Sequence, residues 1–263
     1  MGRRRKGRDV HGVLLLDKPA GFSSSQAVQK IRWLFQARKA GHTGTLDPFA
    51  TGMLPICLGE ASKTAAFMLD ASKTYEARAR LGQATDTGDI EGSVIREEPV
   101  PALDARAIEA AMDAFRGPIE QVPPMYSALK QNGQPLYKLA REGRHVERAA
   151  RPVTIHRIEL ISWNPPDLEF RVKCSKGTYV RTLAEDIGEA LGCGGHVAAV
   201  QQHHQTDDDA ITIASVLVLA AGIFVSLVLI LGRMKALDEP LDRLKALDLT
   251  HANYRFLDLR GVV

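Results

Sequence analysis

Two apolar runs that lie close together in the chain constrain its fold more than any other feature. Residues 153–163 and 168–174 are rich in β-branched and aromatic side chains, and only Asn164-Pro165-Pro166-Asp167 separates them. Because proline, asparagine and aspartate favour turns over strand interiors, this pattern predicts a β-hairpin with a longer loop. The fold must therefore contain an antiparallel pair of strands.

Further strands and helices are mixed along the chain. Residues 73–81 alternate as a strand, with Tyr75, Ala77 and Ala79 on one side, and residues 11–17 form another short strand pattern. A serine cluster at 23–25 offers an N-cap for a helix over 26–38. Further helices are predicted at 105–115, where Gly117-Pro118 ends the pattern, and at 136–141 and 180–191. There is no regular βαβ repeat, so the sequence favours the α+β class over a doubly wound sheet.

Length and composition indicate one well-packed core with a small appended module. The chain has 263 residues, of which 45% are hydrophobic and 25% are charged. Residues 1–9 form a basic N-terminal tail, which is either a solvated segment or a contact for phosphates. The three cysteines are widely spread, which argues against a disulfide framework and fits a reducing cytosol. The apolar run at 12–16 is too short for a signal peptide, so a cytoplasmic protein is expected.

The character of the sequence changes abruptly after residue 200. Residues 201–209 are low in complexity, and residues 210–232 form an apolar stretch without a charge that is long enough to span a bilayer. Three interpretations stay open: a transmembrane helix, a buried helix or strand pair, and a frame change or fusion that replaced the C-terminus. His203 and His204 with Asp207 to Asp209 favour a linker over a metal site. The predicted domains are thus the tail at 1–9, a catalytic domain at 10–200 and a divergent segment at 201–263.

The loop over residues 41–52 carries the clearest chemical pattern. It combines three glycines and several hydroxyls with His42 and Asp47. Glycine allows a backbone to approach a substrate closely, and Pro48 restricts the conformation of the preceding residue, so the carboxylate is presented from a constrained loop. The residues alone leave two interpretations open, which are a reactive carboxylate and a structural turn in which Asp47 caps a neighbouring helix.

A series of segments resembles one known family in order and in spacing. They are GVLLLDKPAGFSSSQAVQKIR, AGHTGTLDPFATGMLPICLGEASK, KTYEARARLGQATDTGD, PPMYSALKQNGQPLYKLAREG, ARPVTI and CSKGTYVRTLAEDIGEALGCGGHV. They resemble the bacterial tRNA pseudouridine-55 synthase family over about residues 8–199. The resemblance implies the pseudouridine synthase fold, in which helices flank a mixed, mostly antiparallel sheet.

The resemblance also implies a reaction and its partners. In the family, the C1′–N1 bond of a uridine in the T-arm of tRNA breaks, the base rotates, and a C1′–C5 bond forms. The reaction has no net redox change, so neither a cofactor nor a metal is expected, and a monomer is expected. The family's catalytic carboxylate matches Asp47, as a nucleophile or as a base that abstracts the C2′ proton.

The same resemblance assigns five further positions. Arg181 matches the arginine that pairs with the catalytic carboxylate, and a neighbouring cation would keep that group ionised. Tyr75 matches the tyrosine that stacks on the target base, which suits an extruded base that has lost its stacking partners. His42 and Tyr179 match substrate-contacting residues, and Lys18, which matches a structurally important position near the site, is also assigned to substrate binding. Without the resemblance, the two tyrosines fit packing against a sheet, and a loop histidine fits the surface.

Two features depart from this interpretation or compete with it. The family continues after GCGxHV with a hydrophobic residue and two arginines, whereas this chain has Val200, Gln201 and Gln202. A tRNA-binding protein of weak activity and a membrane-tethered derivative therefore remain alternatives. The Asp86-Thr87-Gly88 triplet resembles one half of an aspartic protease site, but such a site needs two carboxylates and the chain has no second copy. The same segment lacks the alternating carboxylates of a calcium loop.

Overall fold

The computed structural model of the chain describes residues 7–203 and the backbone of residues 254–256. These residues belong to two compact units, of which the first takes Met1–Ala71 and His204–Val263 and the second takes Ser72–His203. The apolar stretch predicted at 210–232, His204 and Asp207 to Asp209 lie outside the described residues. Within the described part of the chain, no helix has both the length and the apolar character needed to cross a membrane.

The first unit is a small antiparallel sheet with two helices. β1 pairs with β13 on one side and with β3 on the other, and β3 also pairs with β2. A short 3-10 helix, Gly59–Lys63, follows β3. The elements in chain order are β1 (Gly12–Lys18), α1 (Ser24–Leu34), β2 (Ala40–His42), β3 (Thr51–Leu58), α2 (Ala65–Asp70) and β13 (Tyr254–Phe256).

Both faces of the central strands in this sheet are covered. Leu14 and Leu16 of β1 lie opposite Ile56 and Leu54 of β3, and all four are buried. On the alternate face, Leu15, Cys57 and Met68 form a separate apolar cluster. Burial on both faces explains why β1 and β3 read as continuous apolar runs rather than as alternating ones.

The first helix begins as predicted but ends earlier. Ser23 caps α1, and its side chain and that of Gln26 form a reciprocal capping box. The helix ends at Leu34 instead of residue 38, because Gln36 adopts a positive φ of 50° and residues 36–38 pair with Arg8 instead. Periodicity extended the prediction across a segment whose backbone hydrogen bonds go to another part of the chain.

The second unit contains a five-stranded antiparallel sheet in the order β12-β4-β11-β10-β7. A two-stranded sheet joins β5 and β6, and another joins β8 and β9. The elements in chain order are β4 (Lys73–Leu81), β5 (Gln83–Thr85), β6 (Val94–Glu97), α3 (Ala105–Asp113), β7 (Gly117–Gln121), β8 (Lys130–Gln131), β9 (Gln134–Pro135), α4 (Leu136–Arg141), β10 (Arg151–Asn164), β11 (Asp167–Cys174), α5 (Val180–Ala190) and β12 (Gly195–His203).

The predicted hairpin is confirmed, with a tighter turn than expected. β10 and β11 pair up to Asn164 and Asp167, so only Pro165 and Pro166 connect the two strands. The polar residues that were predicted to lie in the loop are the last members of the ladder. The α+β class is also confirmed, since antiparallel strands and helices share the unit without a βαβ repeat.

The alternation predicted for residues 73–81 is confirmed as β4. Ala77 and Ala79 are buried, and they lie opposite the buried Phe170 and Leu168 of β11. α5 packs against β12 and β4, while α3 packs against β10. The other face of β4 carries polar side chains, such as Arg80, which forms an ion pair with Asp167 on β11. Amphipathic strands thus separate the core from an ion-paired surface.

Two segments that were not predicted as strands belong to strands. One was predicted as the end of a helix and the other as part of a loop. The helix that begins at Ala105 ends at Asp113 instead of residue 115, and Gly117-Pro118 begins β7, which pairs with β10. The loop predicted at 41–52 is shorter, because His42 ends β2 and Thr51 begins β3. The domain limits predicted at 9 and 200 stay a prediction, although β12 continues to His203.

All three cysteines are buried and unpaired. Cys57 lies on β3, Cys174 ends β11, and Cys193 lies between α5 and β12. Burial raises the pKa of the Cys57 thiol and of the Cys174 thiol to about 11, and it also raises the pKa of Cys193. These side chains therefore act as small apolar core residues.

Candidate active site

The six residues predicted for the site divide equally between the two units. Lys18, His42 and Asp47 lie in the first unit, where β1, β2 and the loop over residues 43–50 carry them. Tyr75, Tyr179 and Arg181 lie in the second unit, on β4 and at the start of α5.

Lys18 fixes the backbone of the loop that carries Asp47. Its side chain is completely buried, and Nζ donates hydrogen bonds to the carbonyl oxygens of Phe22 at 2.7 Å, Pro19 at 3.0 Å and Pro48 at 3.3 Å. A buried ammonium needs such acceptors, since an unpaired charge in the interior is strongly disfavoured. Lys18 thus ties the end of β1 to the residue that directly follows Asp47.

A serine of α1 fixes the other neighbour of Asp47. The buried hydroxyl of Ser24 accepts a hydrogen bond from the backbone N–H of Leu46 at 2.8 Å and lies 3.1 Å from the Leu46 carbonyl oxygen, to which it donates. The backbone N–H of Gly21 also donates to the Pro48 carbonyl at 2.8 Å. The half-buried Asp47 therefore stands between two residues whose backbones are both held.

The hydrogen bonds of this loop bear on the interpretation of Asp47 as a structural residue. The carbonyl of Asp47 accepts from the N–H of Ala50 at 3.1 Å, which closes a turn over residues 47–50. The helix nearest in sequence, α1, is capped by Ser23 rather than by Asp47. The turn is therefore real, but the N-cap position of α1 does not need the carboxylate.

His42 lies at the end of β2 and faces the start of the same loop. Its Nδ1 accepts a hydrogen bond from the backbone N–H of Gly44 at 3.4 Å. Burial lowers the pKa of His42. The neutral imidazole is thus favoured, with Nδ1 as the acceptor.

Arg181 is buried in the first turn of α5 and has several partners there. Only 5% of the residue is exposed, and its guanidinium donates to the Tyr126 carbonyl at 2.7 Å, to the Thr87 carbonyl at 2.9 Å and to the Asp89 carboxylate at 3.1 Å. The side chain of Asp89 is buried to a similar degree. The pairing of Arg181 with Asp47 that the resemblance implies stays a prediction.

Asp89 is a residue of this site that sequence reasoning missed. One carboxylate oxygen bonds Arg181, and the other accepts from the Thr87 hydroxyl at 2.7 Å and from the Glu91 N–H at 3.0 Å. Gly88, with a positive φ of 72°, turns the chain between them. The Asp-Thr-Gly triplet therefore belongs to a loop that holds an arginine.

A second carboxylate lies close to this ion pair. Glu185 follows Arg181 by one turn of α5, and its carboxyl group packs against Gly88 so closely that a side chain at Gly88 would clash with it. Burial raises the pKa of Glu185 to about 7, and the nearby Asp186 and Asp89 add to this effect, whereas Arg181 opposes it. The group is therefore partly protonated near neutral pH.

The two predicted tyrosines occupy ends of secondary structure. Tyr179 is the N-cap residue of α5, where the side chain of Gln121 bonds its backbone. Tyr75 lies near the start of β4, opposite Val172 of β11 and Gln202 of β12. Gln202, where the family has an arginine, is buried beside this strand. A side chain in this position contributes to the sheet rather than to an exposed basic surface.

The second unit also carries a strongly basic segment. Residues 130–151 contain six lysines and arginines against two glutamates. Arg148 anchors the segment, because its guanidinium donates to the Pro123 carbonyl at 2.9 Å. Such a concentration of positive charge is suited to contact with a phosphate backbone.

The described residues contain no group of three or more histidine, cysteine or acidic side chains arranged to hold a metal ion. His203, which the sequence places in a histidine-rich run, instead has Nε2 at 3.1 Å from a carboxylate oxygen of Glu76 on β4. His203 is therefore the last residue of β12 and not part of a separate linker.

Comparison with known proteins identifies the family. Residues 32–180 match the family model described as TruB family pseudouridylate synthase, N terminal domain. The chain is 62% identical over 202 residues to tRNA pseudouridine synthase B of Chromohalobacter salexigens. The alignment covers 77% of this chain and 66% of that protein. It is 55% identical over 210 residues to tRNA pseudouridine synthase B of Coxiella burnetii. That alignment covers 79% of this chain and 68% of that protein.

Solved structures show the same fold. A chain of a Cbf5-Nop10-Gar1 complex aligns with a TM-score of 0.58 at 32% identity, over 73% of this chain and 48% of that chain. A chain of an H/ACA RNP bound to a substrate RNA containing 2′-deoxyuridine aligns with a TM-score of 0.55 at 25% identity, over 78% of this chain and 53% of that chain. This chain thus matches about two thirds of the length of its sequence relatives and about half of these structural ones. With the matched region running through the loop of Asp47 and the start of α5, the chain belongs to the TruB family of pseudouridylate synthases.

Proposed function

We propose that the chain is a tRNA pseudouridine synthase, an isomerase that converts a uridine in the T-arm of tRNA, at position 55, into pseudouridine. The names of its relatives support the substrate class, since tRNA pseudouridine synthase B is the name of proteins 55–62% identical to it. The tRNA is the partner, and the expected location is the cytoplasm. The reaction moves one bond within the substrate, so it needs no redox cofactor.

The observation that carries this proposal is the double fixation of the loop around Asp47. Lys18 holds the carbonyl of Pro48, and Ser24 holds both backbone groups of Leu46. A group that must attack or deprotonate a sugar works best when it is held in a fixed position, because misplacement by about 1 Å costs on the order of a hundred-fold in rate. A structural turn alone would not need a buried lysine beneath it.

In the proposed reaction, Asp47 acts in its ionised form. The C1′–N1 bond breaks, the uracil rotates while it stays bound, and C5 then forms a bond to C1′ as its proton is lost to solvent and N1 is protonated. Asp47 serves either as the nucleophile or as the base that takes the C2′ proton. Arg181 is the proposed cation that favours the carboxylate, and its five N–H donors allow it to bond Asp89 and a second acceptor together.

The remaining predicted residues would hold the RNA. Tyr75 would stack on the extruded base, and His42 and Tyr179 would contact the substrate around it. The basic segment at 130–151 and the basic tail would bind phosphates, so binding should weaken as salt concentration rises. Lys18 is assigned a supporting role beneath the loop rather than a contact with the RNA.

The test is pseudouridine formation in an unmodified tRNA transcript whose uridines carry tritium at C5. Isomerisation releases this label, because the C5–H bond is replaced by a C–C bond. We expect release with the wild-type chain, no release with Asp47→Asn, and normal release with the surface variant Asp86→Asn as the matched control. A transcript with cytidine at position 55 shows whether the activity is confined to that site.

Two outcomes would contradict the proposal in different ways. A wild-type chain that binds the transcript without releasing label would be a binding protein, as the glutamines at 201 and 202 leave open. A chain that pellets with membranes, and ceases to do so when residues 210–232 are deleted, would be a tethered derivative. That deletion removes no residue of β12 or β13.

A further inference from the structure

Residues 121–126 cross the start of α5 and bond to both of its predicted site residues. The side chain of Gln121 bonds the backbone of Tyr179, and the carbonyl of Tyr126 accepts from Arg181 at 2.7 Å. We call residues 121–126 the crossing segment. It leads from the end of β7 toward the basic segment, to which Arg148 ties it through Pro123.

The side-chain amide of Gln121 both accepts a hydrogen bond from the backbone of Tyr179 and donates one to it. Gln121 is 2% exposed; its Oε1 accepts from the Tyr179 N–H at 3.0 Å, and its Nε2 donates to the Tyr179 carbonyl at 3.3 Å. A backbone N–H and a backbone carbonyl together fix which end of the amide is oxygen and which is nitrogen.

Tyr179 needs such an external support. It is the N-cap residue of α5, where helices leave backbone N–H groups without partners, and its own side chain makes no capping bond. Its carbonyl accepts from Leu183 at 3.1 Å as the first bond of the helix, in addition to the bond from Gln121. The backbone of Tyr179 is therefore held from the helix side and from the sheet side together.

We propose that Gln121 is a positioning residue for Tyr179, which fixes the backbone at the start of α5 so that the tyrosine ring meets the substrate in one orientation. This inference rests on the proposed function, because it assigns Tyr179 a contact with RNA. Gln121 itself lies in the interior, and its side chain bonds the backbone of Tyr179. Its effect passes through Tyr179.

The first test compares two glutamine variants in the full chain. Gln121→Met keeps the volume but leaves both backbone groups of Tyr179 without their amide partner, so we expect kcat/KM to fall by about ten-fold or more. Gln83→Met is the matched control, since the Gln83 side chain bonds the exposed Glu97 at 2.9 Å in the same unit. The control should keep wild-type activity, and melting curves identify a temperature at which all variants are folded.

The second test asks whether the effect passes through the tyrosine. In a double-mutant cycle, Gln121→Met added to Tyr179→Ala should lower kcat/KM by less than about three-fold, because the side chain being positioned is already absent. If the fold loss in kcat/KM of the double variant equals the product of the two single losses, the proposal is overturned. That result would mean that Gln121 acts on activity independently of Tyr179.

The third test uses the pH profile of Gln121→Glu, which keeps the shape. Burial raises the pKa of the new carboxyl group, and the protonated form can donate to the Tyr179 carbonyl as the amide does. Activity relative to wild type should therefore be highest at low pH and should fall as the carboxylate forms. A ratio to wild type that stays constant across pH would overturn the proposal.

The outcomes separate this inference from the proposed function. If the wild-type chain releases no tritium, the proposed function fails before any variant is compared. If wild type is active and Gln121→Met is folded and equally active, the function stands and the positioning role fails. Thermal stability alone cannot produce the predicted dependence of kcat/KM on Tyr179.

Discussion

At the scale of single residues, the buried ion pair between Arg181 and Asp89 depends most strongly on its hydrogen-bond partners. Both side chains are about 95% buried, so each has lost nearly all contact with water. Asp89 offsets this loss through the Thr87 hydroxyl and the Glu91 N–H, and Arg181 through two backbone carbonyls. Such a pair is stable while complete and strongly destabilising when one partner is removed.

Replacing Asp89 should therefore unfold the second unit more easily. We expect Asp89→Asn to lower the free energy of unfolding by about 3–5 kcal/mol, because a buried guanidinium loses its counter-charge. Asp86→Asn in the same loop is the control; it is exposed and should change stability by less than about 0.5 kcal/mol. Urea denaturation of both variants measures the difference, and equal midpoints would contradict the role assigned to Asp89.

Glu185 predicts a dependence of stability on pH. Its pKa rises from 4.5 to about 7 on folding, so between these values the folded chain retains a proton that the unfolded chain has lost. Stability from this group therefore falls as pH rises from about 4.5 to 7 and then levels off. Glu185→Gln should be more stable than wild type by about 1–3 kcal/mol at pH 8, with no such gain at pH 4.

The control for this effect is Glu109→Gln, which removes an exposed carboxylate from α3 in the same unit. Its stability should follow that of wild type at both pH values. Melting temperatures at pH 4, 6 and 8 are sufficient for the comparison. A Glu185→Gln variant that loses stability at pH 8 would show that the carboxylate is needed in its charged form.

At the scale of secondary structure, α1 supports the loop of Asp47 through one side chain. Ser24 is the first residue of the helix, and its hydroxyl bonds both backbone groups of Leu46. The neighbouring Ser25 is exposed and has a side chain of the same type. The two serines therefore form a natural pair for testing how the helix positions the loop.

We expect Ser24→Ala to reduce activity by about ten-fold, since Leu46 loses the partner of its buried N–H and the loop before Asp47 loosens. Ser25→Ala should leave activity unchanged. Tritium release under single-turnover conditions separates a slower chemical step from weaker binding. If both alanine variants retain full activity, Ser24 does not position Asp47.

Local patterns predicted the elements well where the alternation or helical period was strong. β4 was predicted at its observed limits, and the hairpin of β10 and β11 was found because apolar alternation runs through both strands. β7 was missed because Gly117-Pro118 is a helix stop in local terms, and only its pairing with β10 makes it a strand. The end of α1 was wrong because residues 36–38 bond to Arg8, which is distant in sequence.

The sequence predicted the constraint on the loop of Asp47 but not its cause, and the roles assigned to the site residues stay predictions. The segments quoted from the sequence placed Asp47 in a constrained loop, and the structure shows how that constraint arises from Lys18 and Ser24. Asp89 and Gln121 were missed, since a single aspartate and a single glutamine carry no local signal. Their roles depend on contacts with residues 92 and 58 positions away along the chain.

At the scale of the whole molecule, the chain divides into two compact units. The first is discontinuous in sequence, because β13 at Tyr254–Phe256 pairs with Leu14 to Leu16 of β1. A C-terminal truncation would therefore remove a strand from the first unit and expose an edge of β1. Experiments on the apolar stretch are better done by internal deletion.

The three buried thiols allow the opening of these two units to be followed separately. Cys57 lies in the first unit, while Cys174 and Cys193 lie in the second, and the chain has no other cysteine. Burial and the raised pKa values make alkylation of the folded chain slow, so each thiol should react only when its own unit opens. Brief pulses of iodoacetamide at increasing denaturant, read by peptide mass, would therefore give each unit its own unfolding curve without any engineered label.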